Sequence, residues 1–120
     1  MNRLFAALAL TLGLAACTPA DIDRFITSTQ PTIEVLSNAQ LKALRDCEST
    51  DNYEATSKSG TYRGAYQFDQ RTWNDVASRH FPWLQDLDPA TVEFFWQDAM
   101  TRALYSERGA QPWPVCGRRL

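Results

Sequence analysis

Glu48 stands between Cys47 and Ser49 at the end of an amphipathic stretch, and its spacing gives it the surroundings of a proton donor. Leu41, Leu44 and Glu48 recur at i, i+3 and i+7, so at about 100° per residue they share one helical face. A carboxylate beside leucines loses water, and desolvation disfavours its charged form. A carboxyl that stays protonated near neutral pH can donate to a leaving group. The alternative is an exposed helix-end glutamate, or one paired with Arg45. Asp46 points to the other side of the helix and reads as solvated.

Few other residues offer chemistry. Gln67 and Thr72 are neutral hydrogen-bonding groups suited to hydroxyl and acetamido substituents. Equally, Gln67 could close a backbone bond and Thr72 falls in the first turn of a helix. Tyr62, Tyr66 and Trp73 could stack on a ligand ring, although Val76 and Ala77 put Trp73 on a core face. His80 is the single histidine and reads as a capping or surface residue. It cannot assemble a metal site with the cysteines by spacing, and there is no glycine-rich phosphate loop. No metal and no cofactor are expected.

These residues need elements to hold them. A helix is expected from about Thr32 or Asn38 to Glu48, with Asn38 as N-cap. Residues 49–61 are polar and contain Gly60, which reads as a loop. Tyr62 to Phe68 suits a short strand or hairpin arm. Asp69 caps a second helix that buries Trp73, Val76 and Ala77 and ends at Phe81-Pro82-Trp83. In the third, Asp88 caps, Pro89 fits the first turn, and Val92, Phe95, Trp96, Ala99, Ala103 and Leu104 form the stripe. Gly109 stops it, and Pro112-Trp113-Pro114 makes a stiff tail. The fold class is therefore mainly α, a small helical domain with a short hairpin or loop.

The 120 residues are 44% hydrophobic and 22% charged, which suits one small domain. Arg3, the apolar run Leu4 to Leu14 and the small Ala15-Ala16 have the layout of an export leader over residues 1–16, and the run is too short to span a membrane. Leu14-Ala15-Ala16-Cys17 resembles the lipobox of bacterial lipoproteins, which implies a lipidated Cys17. Plain secretion with cleavage nearby is the other reading. Residues 17–31 would be a tether and 32–117 the domain. The protein would then lie outside the cytoplasm, in the cell envelope or secreted, touching membrane only through Cys17.

If Cys17 carries lipid, Cys47 and Cys116 remain, and an oxidising compartment favours joining them. On the chain-entropy picture such a bridge is worth about 4 kcal/mol. The full chain carries 12 Lys and Arg against 14 Asp and Glu, a balance without the basic face that nucleic acid needs.

Four pieces in order resemble a known pattern: Cys47-Glu48-Ser49, Gly64-Ala65-Tyr66-Gln67-Phe68, Thr72-Trp73 and Trp113-Pro114-Val115-Cys116. They are similar to the resuscitation-promoting-factor type of transglycosylase-like domain, a small relative of the lysozyme superfamily, over about residues 38–117. The resemblance implies an α+β lysozyme-like fold and cleavage of peptidoglycan glycan strands. It implies Glu48 as catalytic acid, Gln67 and Thr72 as polar residues of the substrate cleft, Tyr62 and Trp73 as aromatics near it, and a Cys47–Cys116 disulfide. Three positions depart from the pattern. Thr50-Asp51 replace two glycines, so a differently shaped loop is expected after Glu48. Tyr53 stands where tryptophan is usual, and one aromatic before Trp113-Pro114 is missing.

Glycosidic cleavage usually needs a second carboxylate as nucleophile or base. Asp51, Glu54, Asp69 and Asp75 have no evident placement for it. Glu48 is therefore expected to work nearly alone, first as acid to the bridging oxygen between N-acetylmuramic acid and N-acetylglucosamine, then as base for the muramyl 6-hydroxyl. Hydrolysis, with Asp51 or Asp69 orienting water, is the rival. Two non-enzymatic readings stand beside these: an inactive peptidoglycan-binding surface lipoprotein, and a small surface interaction protein held by its disulfide.

Overall fold

Residues 18–22, 24 and 35–120 are described by a computed structural model. The expected leader, Cys17 and most of the tether lie outside the described residues. Three α-helices carry the fold: α1 (Asn38–Ser49), α2 (Gln70–His80) and α3 (Phe94–Arg108). Two 3₁₀ turns, Pro82–Leu84 and Cys116–Arg119, follow α2 and end the chain. No helix among the described residues is long and apolar enough to cross a membrane.

The cap of α1 is Ser37, one residue before the expected Asn38. Ser37 Oγ accepts from the Gln40 backbone N–H at 3.1 Å, and Gln40 Oε1 accepts from the Ser37 N–H at 2.9 Å. This reciprocal capping box satisfies two donors that a helix start would leave open. Asn38 instead accepts from Arg102 of α3. Leu41 and Leu44 are buried, as their spacing requires, and each contributes roughly 1.5–3 kcal/mol.

Asp69 caps α2 as expected, accepting from the Thr72 N–H at 2.8 Å. Trp73, Val76 and Ala77 are fully buried. The Trp73 indole N–H donates to Leu84 O at 2.8 Å, so this large ring enters the core without an orphaned donor. Phe81 leaves helical geometry just before Pro82, where ring sterics push the preceding residue away from the α region.

The start of α3 differs from the sequence expectation. The helix begins at Phe94 with Glu93 as cap, and Asp88 and Pro89 belong to a turn before it. Long-range partners decide this. Asp88 is paired with Arg63, and the Val92 carbonyl accepts from the Gln97 side chain at 2.8 Å. Ala99, Met100, Ala103 and Leu104 are the buried apolar residues of α3. Phe95 and Trp96, expected in the core, are only half-buried, and Trp96 packs edge-on against Phe81 and Trp83.

Between α1 and α2 the chain makes turns rather than the hairpin arm. Two isolated antiparallel bridges, Thr56–Arg63 and Arg63–Phe68, replace a ladder. The helices α2 and α3 pack together, while α1 packs on the C-terminal 3₁₀ turn. A disulfide joins Cys47 to Cys116, with Cα atoms 5.6 Å apart and 69 positions between them in sequence. This links the last turn of α1 covalently to the end of the proline-rich tail.

Candidate active site

Glu48 is the penultimate residue of α1 and is half-buried. Burial lifts its carboxyl above the ordinary carboxylate range. No ion pair or hydrogen bond among the described residues engages it. The neighbouring charges are occupied elsewhere: Arg45 Nε donates to Asp51 at 2.7 Å, and Asp46 pairs with Lys42 at 2.9 Å on the exposed face. Glu48 is thus neither fully exposed nor paired with Arg45.

The carboxyl opens into a cavity of about 340 Å³ lined by Tyr62, Gln67, Trp113, Pro114 and Val115 among others. A second cavity of about 330 Å³ shares Tyr62, Gln67, Pro112, Trp113 and Pro114 with the first and continues to Thr72, Asp69 and Arg108. Together they form one groove, each part within the usual size of a small-ligand cleft (roughly 300–1,000 Å³). One wall is the tail that the disulfide fastens beside Glu48. Val115 projects from that wall with 71% of its surface exposed.

Gln67 and Thr72 both line this groove. Gln67 has a left-handed backbone (φ 55°), and its Nε2 donates to Gly64 O at 2.9 Å. The backbone bond therefore exists, and the side chain still faces the cavity. Gly64 has φ 81°, and a Cβ there would sit 2.5 Å from Gln97 Oε1, so only glycine fits. The Thr72 hydroxyl donates to Asp69 Oδ2 at 2.9 Å. Tyr62 is 48% exposed and offers a ring to both cavities.

Tyr66 does not offer a stacking face: it is 1% exposed. Its hydroxyl donates to Asp98 and accepts from Arg45 Nη1 at 3.0 Å. Its backbone oxygen accepts from the Trp113 indole at 3.0 Å. Burial, then the bond to Asp98, holds the Tyr66 phenol well above its ordinary value. Tyr66 borders the second cavity while its polar atoms are bonded within the protein. Trp73 is likewise core.

After Glu48, Thr50 and Asp51 both adopt the left-handed backbone that suits glycine, with φ 56° and 57°. Arg45 holds the loop: its carbonyl accepts from the Asp51 N–H at 3.1 Å while its guanidinium binds the Asp51 carboxylate. That same salt bridge depresses the Asp51 carboxyl. Ser49 Oγ donates to Ala65 O at 2.8 Å, tying the end of α1 to the turn that carries Gln67.

Sequence reasoning missed Gln97 and Asp98. Gln97 is buried, accepts from the Ala65 N–H and donates to Tyr53 O. Asp98 accepts from both Tyr53 and Tyr66. The spacing of the apolar stripe puts both on the polar side of α3, so their roles come from the distant partners Ala65, Tyr53 and Tyr66 and carry no local signal. Among the described residues, no cluster of His, Cys, Asp or Glu could hold a metal ion.

Comparison with known proteins meets this geometry. A family model described as transglycosylase-like domain matches residues 35–116, from before α1 through Cys116. The probable transglycosylase SceD of Staphylococcus aureus (strain Newman) is 36% identical over 76 residues, covering 63% of this chain and 32% of that protein. The probable transglycosylase SceD 3 of Staphylococcus saprophyticus is 34% identical over 76 residues, with 63% and 31% covered. The chain thus spans about a third of the length of these relatives. The matched segment holds Glu48, the turn carrying Gln67, Thr72 and both cysteines of the disulfide, and the chain belongs to the transglycosylase-like domain family.

Proposed function

We propose that this domain cleaves the glycan strands of peptidoglycan between N-acetylmuramic acid and N-acetylglucosamine, with Glu48 as acid and then base. The observation that carries the reading is the carboxyl itself: half-buried, raised by desolvation, without a partner among the described residues, and open to the groove. It donates its proton to the bridging oxygen as the bond from muramyl C1 to that oxygen breaks. The carboxylate then takes the proton of the muramyl 6-hydroxyl as that oxygen bonds to C1. The product is a 1,6-anhydro ring, formed without water.

The state of the other carboxylates favours this route over hydrolysis. Among the described residues, Glu48 is the sole carboxylate lining its cavity. Asp51 is engaged by Arg45, and both oxygens of Asp69 are taken by Thr72. An internal hydroxyl held in line replaces a positioned water and its base. Tyr62 supplies a sugar-stacking face, and Gln67 and Thr72 supply hydrogen bonds. Residues 1–16 would direct export, and lipid on Cys17 would tether the domain beside the wall.

The test is release of soluble fragments from purified sacculi by the full chain and by Glu48→Gln. We expect the variant to lose about 10²–10⁴-fold in rate, the range for a positioned acid–base group, while still binding sacculi. Mass spectrometry should find anhydro ends, one water lighter than reducing ends. Reducing muramic acid would refute the anhydro route, and bound but uncleaved sacculi with both proteins would leave a binding protein.

A further inference from the structure

Arg108 ends α3 and lines the second cavity beside Thr72 and Asp69. Among the described residues it is the sole cation lining the groove's two cavities. Two ordinary roles explain part of its position. A basic side chain in the last turn complements the helix dipole, and Arg108 Nη2 donates to Asp75 Oδ2 at 2.7 Å. Asp75, however, is already held at both oxygens by Arg79, at 2.7 and 2.9 Å. Arg79 is in turn held by Glu107. Asp75 takes one nitrogen of the Arg108 guanidinium, and no other acceptor among the described residues engages the rest.

A second cation stands close by. Arg71, exposed in the first turn of α2 next to Thr72, engages no acceptor among the described residues. It lines an adjoining cavity of about 760 Å³ that shares Tyr62 and Asp69 with the groove. Arg71 precedes Asp75 by four positions on α2, so it lies on the helix face whose carboxylate Arg79 and Arg108 bind. The acids nearby are committed: Asp69 to Thr72, Asp86 to Asn74 and Asp88 to Arg63.

We propose that Arg108, with Arg71 beside it, forms a carboxylate-binding edge at the end of the groove that Glu48 does not line. A guanidinium with unused donors meets a carboxylate in a two-point fork, which lysine cannot reproduce. The inference rests on the peptidoglycan reading and deepens it. Carboxylates on a strand come from two sources: the lactyl group of a muramic acid stripped of its peptide, or the peptide stem. The edge makes the enzyme read one of them, so that cleavage depends on a charge remote from the bond broken.

The experiment compares the full chain with Arg108→Gln, Arg108→Lys and Arg71→Gln on three substrates: native strands, strands stripped of stems by an amidase, and strands whose carboxylates are capped as methylamides. On the strands, native or stripped, that present the carboxylate being read, capping should cost wild type about tenfold in kcat/KM, the scale of a charge-assisted hydrogen bond. Arg108→Gln should lose about as much on those strands uncapped and nothing further once they are capped. Arg71→Gln should lose less, and Arg108→Lys should fall between. Loss by wild type on stripped strands identifies the stem as source, and gain identifies the lactyl group. Equal rates for Arg108→Gln and wild type on both native and stripped strands would overturn the edge. If wild type cleaves nothing, the reading of Glu48 fails instead, and equilibrium binding to the same three substrates tests the edge. Weaker binding by Arg108→Gln to native or stripped strands but not to capped ones supports it, and equal binding to all three overturns it. Thermal melts confirm that the variants fold, since Arg79 retains its hold on Asp75.

Discussion

At neutral pH an ionised Glu48 sits in surroundings that favour the neutral form, and no described partner offsets its charge. A carboxyl whose pKa is raised on folding binds more protons in the native than in the unfolded chain between the two values. Stability then falls as pH rises through that window and stays lowered above it. Glutamine at this position carries no charge at any pH. Glu48→Gln should therefore melt at a higher temperature than wild type near pH 7, and the gap should close as pH falls to about 3.5, below the usual range for Glu. Thermal unfolding of both proteins across that range checks the sign. A variant less stable at neutral pH would mean that Glu48 holds the fold together rather than waiting for substrate. This much was legible in the spacing of Leu41, Leu44 and Glu48, because one helix face is a local property. The burial of Tyr66 was not legible, because it depends on Asp98, 32 positions away.

At the scale of elements, the loop following α1 holds two residues other than glycine in the left-handed region. A non-glycine residue in the left-handed region costs roughly 1–2 kcal/mol, more so when β-branched like Thr50. Arg45 offsets this by holding the Asp51 backbone and carboxylate together. Thr50→Gly should relieve the local cost while adding entropy to the unfolded chain, for a net gain of about 0.5–1 kcal/mol. In a domain of this size that raises Tm by several degrees, read by calorimetry. A lower Tm would show that the threonine side chain stabilises the loop. Element boundaries show the same division between local and distant causes. Ser37-Asn38-Ala39-Gln40 carried a readable capping signal, yet Asn38 was preferred. The true start of α3 could not be read locally, because Arg63 draws Asp88 away and Gln97 occupies the Val92 carbonyl.

Across the whole molecule the acid and the groove wall come from opposite ends of the domain, and two kinds of link hold them in register. Tyr66 is one: its hydroxyl reaches α1 and α3 through Arg45 and Asp98, and its carbonyl holds Trp113 of the wall. The disulfide is the other, with Cys47 beside Glu48 and Cys116 lining the same cavity. A small domain stabilised by roughly 5–15 kcal/mol has little margin, and a bridge closing a loop of 69 positions contributes about 4 kcal/mol on the chain-entropy account. Cys116→Ser should lower the urea midpoint by a large fraction of its value, because much of that stability goes with the bridge. At temperatures where the variant remains folded by circular dichroism, it should also release fragments from sacculi more slowly than wild type. The wall would then be held beside Glu48 without a covalent link, by the Trp113–Tyr66 hydrogen bond and by packing of α1 on the C-terminal turn. An unchanged rate in the folded variant would mean that the hydrogen-bonded link suffices to build the groove, leaving the disulfide as a staple of stability only.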